Sequence, residues 1–183
     1  YKIAVLENIK DNKYKYVLKE NVDFDIEDEK EIFLNSIKLI NWNTEMKSIK
    51  LAEELTKNCK TELEKIQAIY DYTTQNFIYD EEKTNLTSKY IPNIDKVLEE
   101  KKGICYDFSS MFAAMLRSQD IPTKLVKGYS KFTKNYHAWN EVYIEDLQKW
   151  VVIDTTKGSE YYHAEFENNM IEDIENFDKK YEY

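Results

Sequence analysis

The sequence of 183 residues predicts an α+β fold, in which helices come first and an antiparallel sheet follows. Between residues 45 and 120 the apolar residues recur every three or four positions, as on one face of a helix. From residue 123 onward the period changes to two, and Val, Ile, Tyr and Trp become frequent, as in half-buried strands. Hydrophobic residues make up 42% of the chain, so it can bury the core that this fold requires.

We expect three segments along the chain. Residues 1–44 are predicted to be an N-terminal extension, where YKYVLKENVDFDI alternates like an edge hairpin and EKEIFLNSIKLI has helical spacing. Residues 45–158 form the core. Residues 159–183 form an acidic C-terminal tail that completes the domain, and within it ENNMIEDIENF has the spacing of a helix.

Three helices are predicted in the first half of the core. The first covers residues 45–58. The second begins at TELE, where Thr61 and Glu64 can form a capping box. After a polar loop over residues 80–89, IPNIDKVLEEKKG predicts a short helix, which Gly103 would close in the left-handed conformation.

A fourth helix and three strands are predicted next. The helix begins at about Cys105, and its apolar residues form one stripe, namely Phe108, Met111, Phe112, Met115 and Leu116. Asp120 and Pro122 end this helix. TKLVKGY, HAWNEVYI and WVVID are the strand candidates, and the polar turn EDLQK joins the last two.

Charge and composition exclude several partners. The net charge of −9 and the pI of about 4.9 argue against nucleic acid and anionic membranes, and Arg117 is the only arginine, so no arginine cluster can bind phosphate. The longest apolar run of the central region, MFAAML, is too short to span a bilayer. No zinc-ligand spacing, calcium loop or Gly-rich phosphate loop occurs, so we expect no metal and no cofactor. Because the chain begins at Tyr1 rather than Met, we interpret it as a piece of a longer protein.

Gly103 and Cys105, in KKGICYDFSSMF, are the first residues that suggest chemistry. A cysteine in the first turn of a helix lies near unpaired backbone N–H groups and the positive end of the helix dipole, which favours the thiolate and can stabilise an oxyanion. Gly103 would let the chain turn into that helix. The alternative is a buried cysteine and a helix cap, since a lone thiol usually packs. Cys59 continues the apolar spacing of the first helix and is expected to be a core residue.

A nucleophilic cysteine needs a base, and the chain has only two histidines, His137 and His163. His137 opens the strand HAWNEVYI, whereas His163 lies in the tail. Asp154 ends the strand WVVID, so a tight hairpin would set it opposite His137 and a longer loop would leave the two diagonal. The alternative is that Asp154 only starts an Asx-turn with the following TT.

These stretches together resemble the transglutaminase-like superfamily of cysteine enzymes. That family has a G-x-C helix start, an H-A-W strand and a W-x-x-x-D-x-T strand in the same order as KKGICYDF, YHAWNEVYI and WVVIDTT. The upstream LAEELTKNCKTELEKIQAIYDYTTQNFIYD resembles the helical pair that precedes the nucleophile in bacterial members. The match covers residues 46–156. It departs from the family at Asp120, where members commonly have glycine.

The resemblance implies a papain-like core with Cys105 as nucleophile, His137 as general base and acid, and Asp154 as the group that orients the imidazole. Tyr79 is a candidate second oxyanion donor, with core packing as its alternative. The implied activity is acyl transfer on peptide or carboxamide bonds through a thioester. We favour hydrolysis by a peptidase or amidase over protein crosslinking. A non-catalytic binding module and a structural part of a larger surface protein are further alternatives. Bacterial surface and secreted members imply an extracytoplasmic location and a protein or peptide substrate.

Overall fold

The structure is a computed structural model that describes residues 2–23, 25, 27–85, 90–156 and 170–183. Within these ranges the helices are α1 (Lys47–Thr56), α2 (Glu62–Gln75), α3 (Ile94–Glu100) and α4 (Cys105–Arg117). The strands are β1 (Lys2–Lys10), β2 (Lys13–Asn21), β3 (Ile78–Tyr79), β4 (Lys102–Gly103), β5 (Thr123–Ser130), β6 (Thr133–Ile144), β7 (Lys149–Ile153), β8 (Ile171–Glu172) and β9 (Phe177–Glu182). The predicted α+β class is confirmed.

Helix α4 is the centre of the molecule. It packs against β5 and β6 of an antiparallel sheet with the strand order β8-β7-β6-β5-β9, and the other three helices contact its remaining surface. The predicted apolar stripe is fully buried, because every one of its members has an exposed fraction of 1% or less; these are Phe108, Met111, Phe112, Met115 and Leu116. None of the helices in the described ranges is long and apolar enough to cross a membrane.

The start of α2 confirms the predicted capping box. The backbone N–H of Glu64 donates to the Thr61 hydroxyl over 3.2 Å, and the backbone N–H of Thr61 donates to the Glu64 carboxylate over 3.3 Å. Two backbone N–H groups at the start of α2 are thus satisfied by the two side chains that the sequence pattern identifies.

Inside the predicted polar loop, residues Glu81–Asn85 form a short 3₁₀ helix.

The end of α3 corrects the prediction for Gly103. The left-handed cap is Lys101, with φ of 53°, and its N–H donates to the carbonyl of Val97. Gly103 instead lies in β4, which pairs in parallel with β3. A Cβ on Gly103 would lie 2.9 Å from the Cβ of Asp107 and 3.0 Å from the ring of Phe108. Glycine is needed here because the backbone passes closely over the first turn of α4.

The three predicted strands are confirmed as β5, β6 and β7. A 3₁₀ turn over Glu145–Leu147 and a left-handed Gln148 join β6 to β7. Asp120, between α4 and β5, has φ of 61°. Glycine adopts this conformation most easily, and aspartate tolerates it better than most residues, which explains the departure from the family at this position.

The N-terminal region differs from the prediction in two ways. The hairpin forms between β1 and β2 as a separate two-stranded sheet and not as an edge of the main sheet. Helical structure in EKEIFLNSIKLI is limited to a 3₁₀ helix over Glu29–Leu34, after which Ile37 and Ile40 form an isolated antiparallel bridge. Ile40 is fully buried, so apolar packing overrides the helical spacing here.

The helix predicted over ENNMIEDIENF is wrong for its described part. Ile171–Glu172 form β8, residues Ile174–Asn176 form a 3₁₀ helix, and β9 begins at Phe177. Residues 157–169, which include the first three positions of this segment, lie outside the described residues. β8 pairs with β7 and β9 pairs with β5, so the hydrogen-bonding edges of the sheet override a local helical pattern.

The only arginine of the chain joins three parts of the fold. Arg117, at the end of α4, is 2% exposed, and its guanidinium donates to the carbonyls of Thr123, Asn35 and Tyr183 over 2.8, 2.6 and 2.9 Å. Burial lowers the pKa of this side chain to about 10. Arg117 therefore links the N-terminal region, β5 and the end of the chain to the central helix.

Candidate active site

Cys105 is the first residue of α4 and is 9% exposed. The first turn of the helix is fixed by Asp107, whose carboxylate accepts from the backbone N–H of Ile104 over 2.9 Å. The same carboxylate accepts a hydrogen bond from the Lys83 ammonium over 2.7 Å and another from the Tyr90 hydroxyl over 2.5 Å. Asp107 itself is fully buried. Asp107 thus serves the helix start and leaves the first-turn N–H groups near Cys105 for another acceptor.

His137 and Asp154 are hydrogen-bonded. Nε2 of His137 lies 2.7 Å from Oδ2 of Asp154, and the two residues are 4% and 1% exposed. The register pairs Asn140 with Ile153, so Asp154, the next residue, is diagonal to His137 and not directly opposite. The longer turn between β6 and β7 produces this offset, which is one of the two geometries that the sequence left open.

Asp154 also starts the turn that follows β7. Its Oδ1 accepts from the backbone N–H of Thr156 over 3.0 Å, while its Oδ2 bonds to His137. The Asx-turn and the histidine contact, which the sequence presented as alternatives, are both present. The turn fixes the carboxylate in the orientation that the imidazole requires.

The third member of the arrangement is Cys105. Its side chain is hydrogen-bonded to the imidazole of His137. Because Nε2 bonds to Asp154, we infer that the other ring nitrogen, Nδ1, is the one that meets the sulfur. Burial alone lowers the pKa of His137, but Asp154 and Cys105 outweigh it and raise this pKa from 6.5 to about 10. The imidazolium form of His137 is therefore favoured at neutral pH.

Trp139 lies behind the histidine and does not face the cleft. It is fully buried, its ring stacks at 6.2 Å from that of His137, and Phe177 packs at 4.9 Å on it. Opposite His137 in the sheet is Gly128, where a Cβ would lie 2.1 Å from the carbonyl oxygen of Asp178 and 2.9 Å from Trp139. The histidine is thus held by a tightly packed layer of the sheet.

A small open cleft of about 250 Å³ exposes the sulfur and the imidazole. Its lining residues are Tyr79, Cys105, Thr133, Asn135, Tyr136, His137 and Thr156. Thr133, Asn135, Tyr136 and Thr156 were not selected from the sequence. Asn135 and Tyr136 could have been identified as cleft residues from the sequence, because they lie within two positions of His137. Thr133 could not, because its position at the cleft depends on the path of β6 in the folded sheet.

Tyr79 lies at the cleft and also packs on the core, and its role as an oxyanion donor stays a prediction. It lines the cleft together with Cys105, and its ring also packs edge-on against Phe108 at 6.4 Å. β3 pairs with β4, directly before the cysteine, and this pairing brings Tyr79 to the cleft.

The other cysteine and histidine lie apart from this arrangement. Cys59 is partly exposed and lies after the end of α1, so the expectation that it is a buried helix residue is wrong; the helix stops at Thr56. Neither cysteine forms a disulfide. His163 lies outside the described residues. In the ranges that the structure describes, no group of three or more His, Cys, Asp or Glu side chains is placed to hold a metal ion.

Comparison with known proteins gives a consistent result. The family model described as the transglutaminase-like superfamily matches residues 49–155. The chain is 33% identical to the uncharacterized protein YebA of Bacillus subtilis, in a match that covers 59% of this chain and 17% of that protein. It is 28% identical to the kyphoscoliosis peptidase of Mus musculus, in a match that covers 60% of this chain and 18% of that protein. The chain therefore spans less than a fifth of the length of these relatives.

Two solved structures share the fold. A proposed cysteine protease from Cytophaga hutchinsonii superimposes with a TM-score of 0.63 at 22% identity, covering 85% of this chain and 47% of that chain. The periplasmic domain of TgpA from Pseudomonas aeruginosa superimposes with a TM-score of 0.53 at 21% identity, covering 65% of this chain and 46% of that chain. At these identities the similarity establishes the architecture alone.

Proposed function

The chain belongs to the transglutaminase-like superfamily, and from this premise we propose that it is a cysteine-dependent acyl-transfer enzyme that acts on peptide or carboxamide bonds. One observation carries the proposal: Cys105, His137 and Asp154 form one hydrogen-bonded line at the edge of an open cleft. This is the arrangement that activates a thiol nucleophile, with a base next to the sulfur and a carboxylate that orients the base.

In the proposed first step, the Cys105 thiolate attacks the substrate carbonyl carbon. A sulfur–carbon bond forms, and the carbonyl electrons move to the oxygen, which the N–H groups of the first turn of α4 and the Tyr79 side chain are proposed to stabilise. His137 then donates its Nδ1 proton to the leaving nitrogen as the carbon–nitrogen bond breaks. The product is a thioester on Cys105 and a free amine or ammonia.

In the second step, a water molecule or an amine attacks the thioester. His137 takes the proton of the attacking group, and the sulfur leaves as the thiolate. Asp154 stabilises the imidazolium during both steps without accepting its proton. Attack by water makes the enzyme a peptidase or amidase, and attack by a lysine amine makes it a crosslinking transglutaminase.

We favour hydrolysis of peptide-type bonds. The relative from Mus musculus is named a peptidase, and the similar structure from Cytophaga hutchinsonii is described as a cysteine protease. The periplasmic domain of TgpA supports an extracytoplasmic location for this chain as well. A protein or peptide is the proposed substrate.

The test compares the wild-type chain with Cys105→Ala on a mixture of peptides that contain glutamine. New peptide ends indicate a peptidase, ammonia release indicates an amidase, and incorporation of an added primary amine indicates a transglutaminase. Loss of the detected product in Cys105→Ala supports the proposal. Retention of product in that variant would show that Cys105 is not the nucleophile and would contradict the proposal. Absence of all three kinds of product supports a non-catalytic binding or structural module.

A further inference from the structure

Lys127 lies beside the candidate nucleophile, although the mechanism above gives it no role. It is a half-buried residue of β5, paired with Ala138 of β6 and Tyr181 of β9. Its ammonium group lies 3.3 Å from the ring centre of Tyr106, which directly follows Cys105, and 5.7 Å from that of Tyr183. The aromatic rings hold the cation in place at the start of α4.

The charge of Lys127 has no carboxylate partner among the residues that the structure describes. Burial lowers the pKa of its ammonium group, and interaction with Cys105 acts in the opposite direction. Lys124, three residues earlier in the same strand, shows the contrast: its ammonium lies 3.1 Å from Glu182 and 3.9 Å from Glu141. Of the two lysines in β5, Lys124 is thus paired with carboxylates of the described residues and Lys127 is not.

Partial burial of an ammonium group without a counter-ion costs free energy, and an anionic group of a bound ligand would reduce this cost. Lys127 is not among the residues that line the cleft, whereas Cys105 is. A substrate that fills the cleft and continues past the sulfur would reach Lys127. With a net charge of −9, the chain as a whole repels acidic ligands, so a local cation is needed to attract one.

We propose that Lys127 is a specificity residue that binds a carboxylate of the substrate next to the carbonyl group attacked by Cys105. The inference rests on the proposed function, since it takes Cys105 as the nucleophile. The preferred source of the carboxylate is the side chain of an acidic residue, because a peptide that continues past Cys105 presents side chains and not its terminus. The competing explanation is that Lys127 acts on the thiolate alone.

The test uses two alkylating reagents that differ in one group. Iodoacetate carries a carboxylate and iodoacetamide carries the neutral amide, and with both the sulfur forms a bond to the methylene carbon and displaces iodide. The ratio of the two rates at Cys105 reports attraction of a carboxylate, because the reactivity of the thiolate cancels. We expect Lys127→Met to lower the iodoacetate-to-iodoacetamide ratio about three- to tenfold, as removal of one nearby charge predicts.

Two variants serve as controls. Lys127→Arg retains the charge and the aromatic contact, so its ratio should remain within about twofold of wild type. Lys127→Gln also removes the charge and replaces Lys127→Met if that variant does not fold. Lys149→Met removes the same charge from an exposed position at the start of β7 and should leave the ratio unchanged. An equal slowing of both reagents in Lys127→Met, or an unchanged ratio, would overturn the proposal. If wild-type Cys105 reacts no faster than Cys59, the proposed function itself fails, which is a separate result.

The source of the carboxylate is tested on the wild-type chain with two isomeric compounds, N-acetylglutamic acid α-amide and N-acetylglutamine. The first carries its carboxylate on the side chain and the second at the terminus. Stronger protection of Cys105 from iodoacetamide by the first compound supports an acidic side chain. Stronger protection by the second assigns the site to a terminal carboxylate, and protection by neither contradicts the proposal.

Discussion

His137 and Asp154 lie diagonal to one another across β6 and β7, with a distance of 2.7 Å between Nε2 and Oδ2. Asp154 uses its other oxygen to fix the turn after β7, so the carboxylate cannot rotate away from the ring without breaking the hydrogen bond to Thr156. This contact orients the imidazole, and Asp154 is the largest of the causes that raise the pKa of His137.

The first prediction concerns the charge of His137. Replacing Asp154 by Asn removes the carboxylate that raises the pKa of His137 to about 10, so this pKa should fall towards the ordinary value of 6.5. NMR titration of the imidazole measures it directly, because the chain has only one other histidine, and His163→Gln removes that signal. A wild-type His137 that titrates near 6.5 would disprove the account of the site.

The second prediction concerns stability and pH. The pKa of His137 is higher in the folded chain than in the unfolded chain, so its contribution is fully present below about pH 6.5 and is lost as the pH rises to about 10. The difference in the free energy of unfolding between wild type and Asp154→Asn should therefore shrink between pH 6.5 and pH 10. Urea unfolding across this window measures the difference. A difference that grows with pH would show that the sign of the pKa shift is wrong.

The third prediction concerns the packing behind the histidine. Gly128→Ala places a methyl group 2.1 Å from the carbonyl oxygen of Asp178, so β9 must move away from β5. We expect a loss of about 1–3 kcal/mol in the free energy of unfolding, as for other overpacked sites. Lys131→Ala, at an exposed position nearby, is the matched control and should change stability by less than about 0.5 kcal/mol. Equal stability of the two variants would show that β9 does not pack as described.

The fourth prediction concerns Arg117. Lysine at this position keeps the charge but cannot reach the three carbonyls that the planar guanidinium satisfies. We expect Arg117→Lys to lower the free energy of unfolding by about 2–4 kcal/mol, because buried hydrogen-bond acceptors lose a charged donor. Lys57→Ala removes an exposed cation and serves as the control. Chemical denaturation of both variants provides the measurement, and a loss below about 1 kcal/mol would contradict a linking role for Arg117.

Much of the fold is predictable because its signals are local. The stripe of α4, the capping box at Thr61 and the alternation of β5, β6 and β7 depend on neighbours within a few residues. The approach of Asp154 to His137 also follows, since consecutive antiparallel strands carry the two residues, although the turn length that sets them diagonal does not follow. The assignment of residues 1–44 and 159–183 as an extension and a completing tail stays a prediction.

The errors have a common cause in contacts between distant parts of the chain. The sequence predicts a helix cap at Gly103 because no local signal shows that β4 pairs with β3. It predicts a helix over ENNMIEDIENF because the free edges of β5 and β7 exist only in the folded sheet. The position of Lys127 has no local signal, since its neighbours Tyr106 and Tyr183 are far from it in sequence. Local periodicity cannot report such contacts.

The most direct test is the rate at which iodoacetamide labels Cys105 relative to Cys59 at pH 6, in wild type and in His137→Asn. An ordinary thiol is almost fully protonated at this pH and reacts slowly. We predict that Cys105 labels at least about tenfold faster than Cys59 in wild type, and that the variant loses this advantage. Equal, slow labelling of both cysteines in wild type would contradict the account.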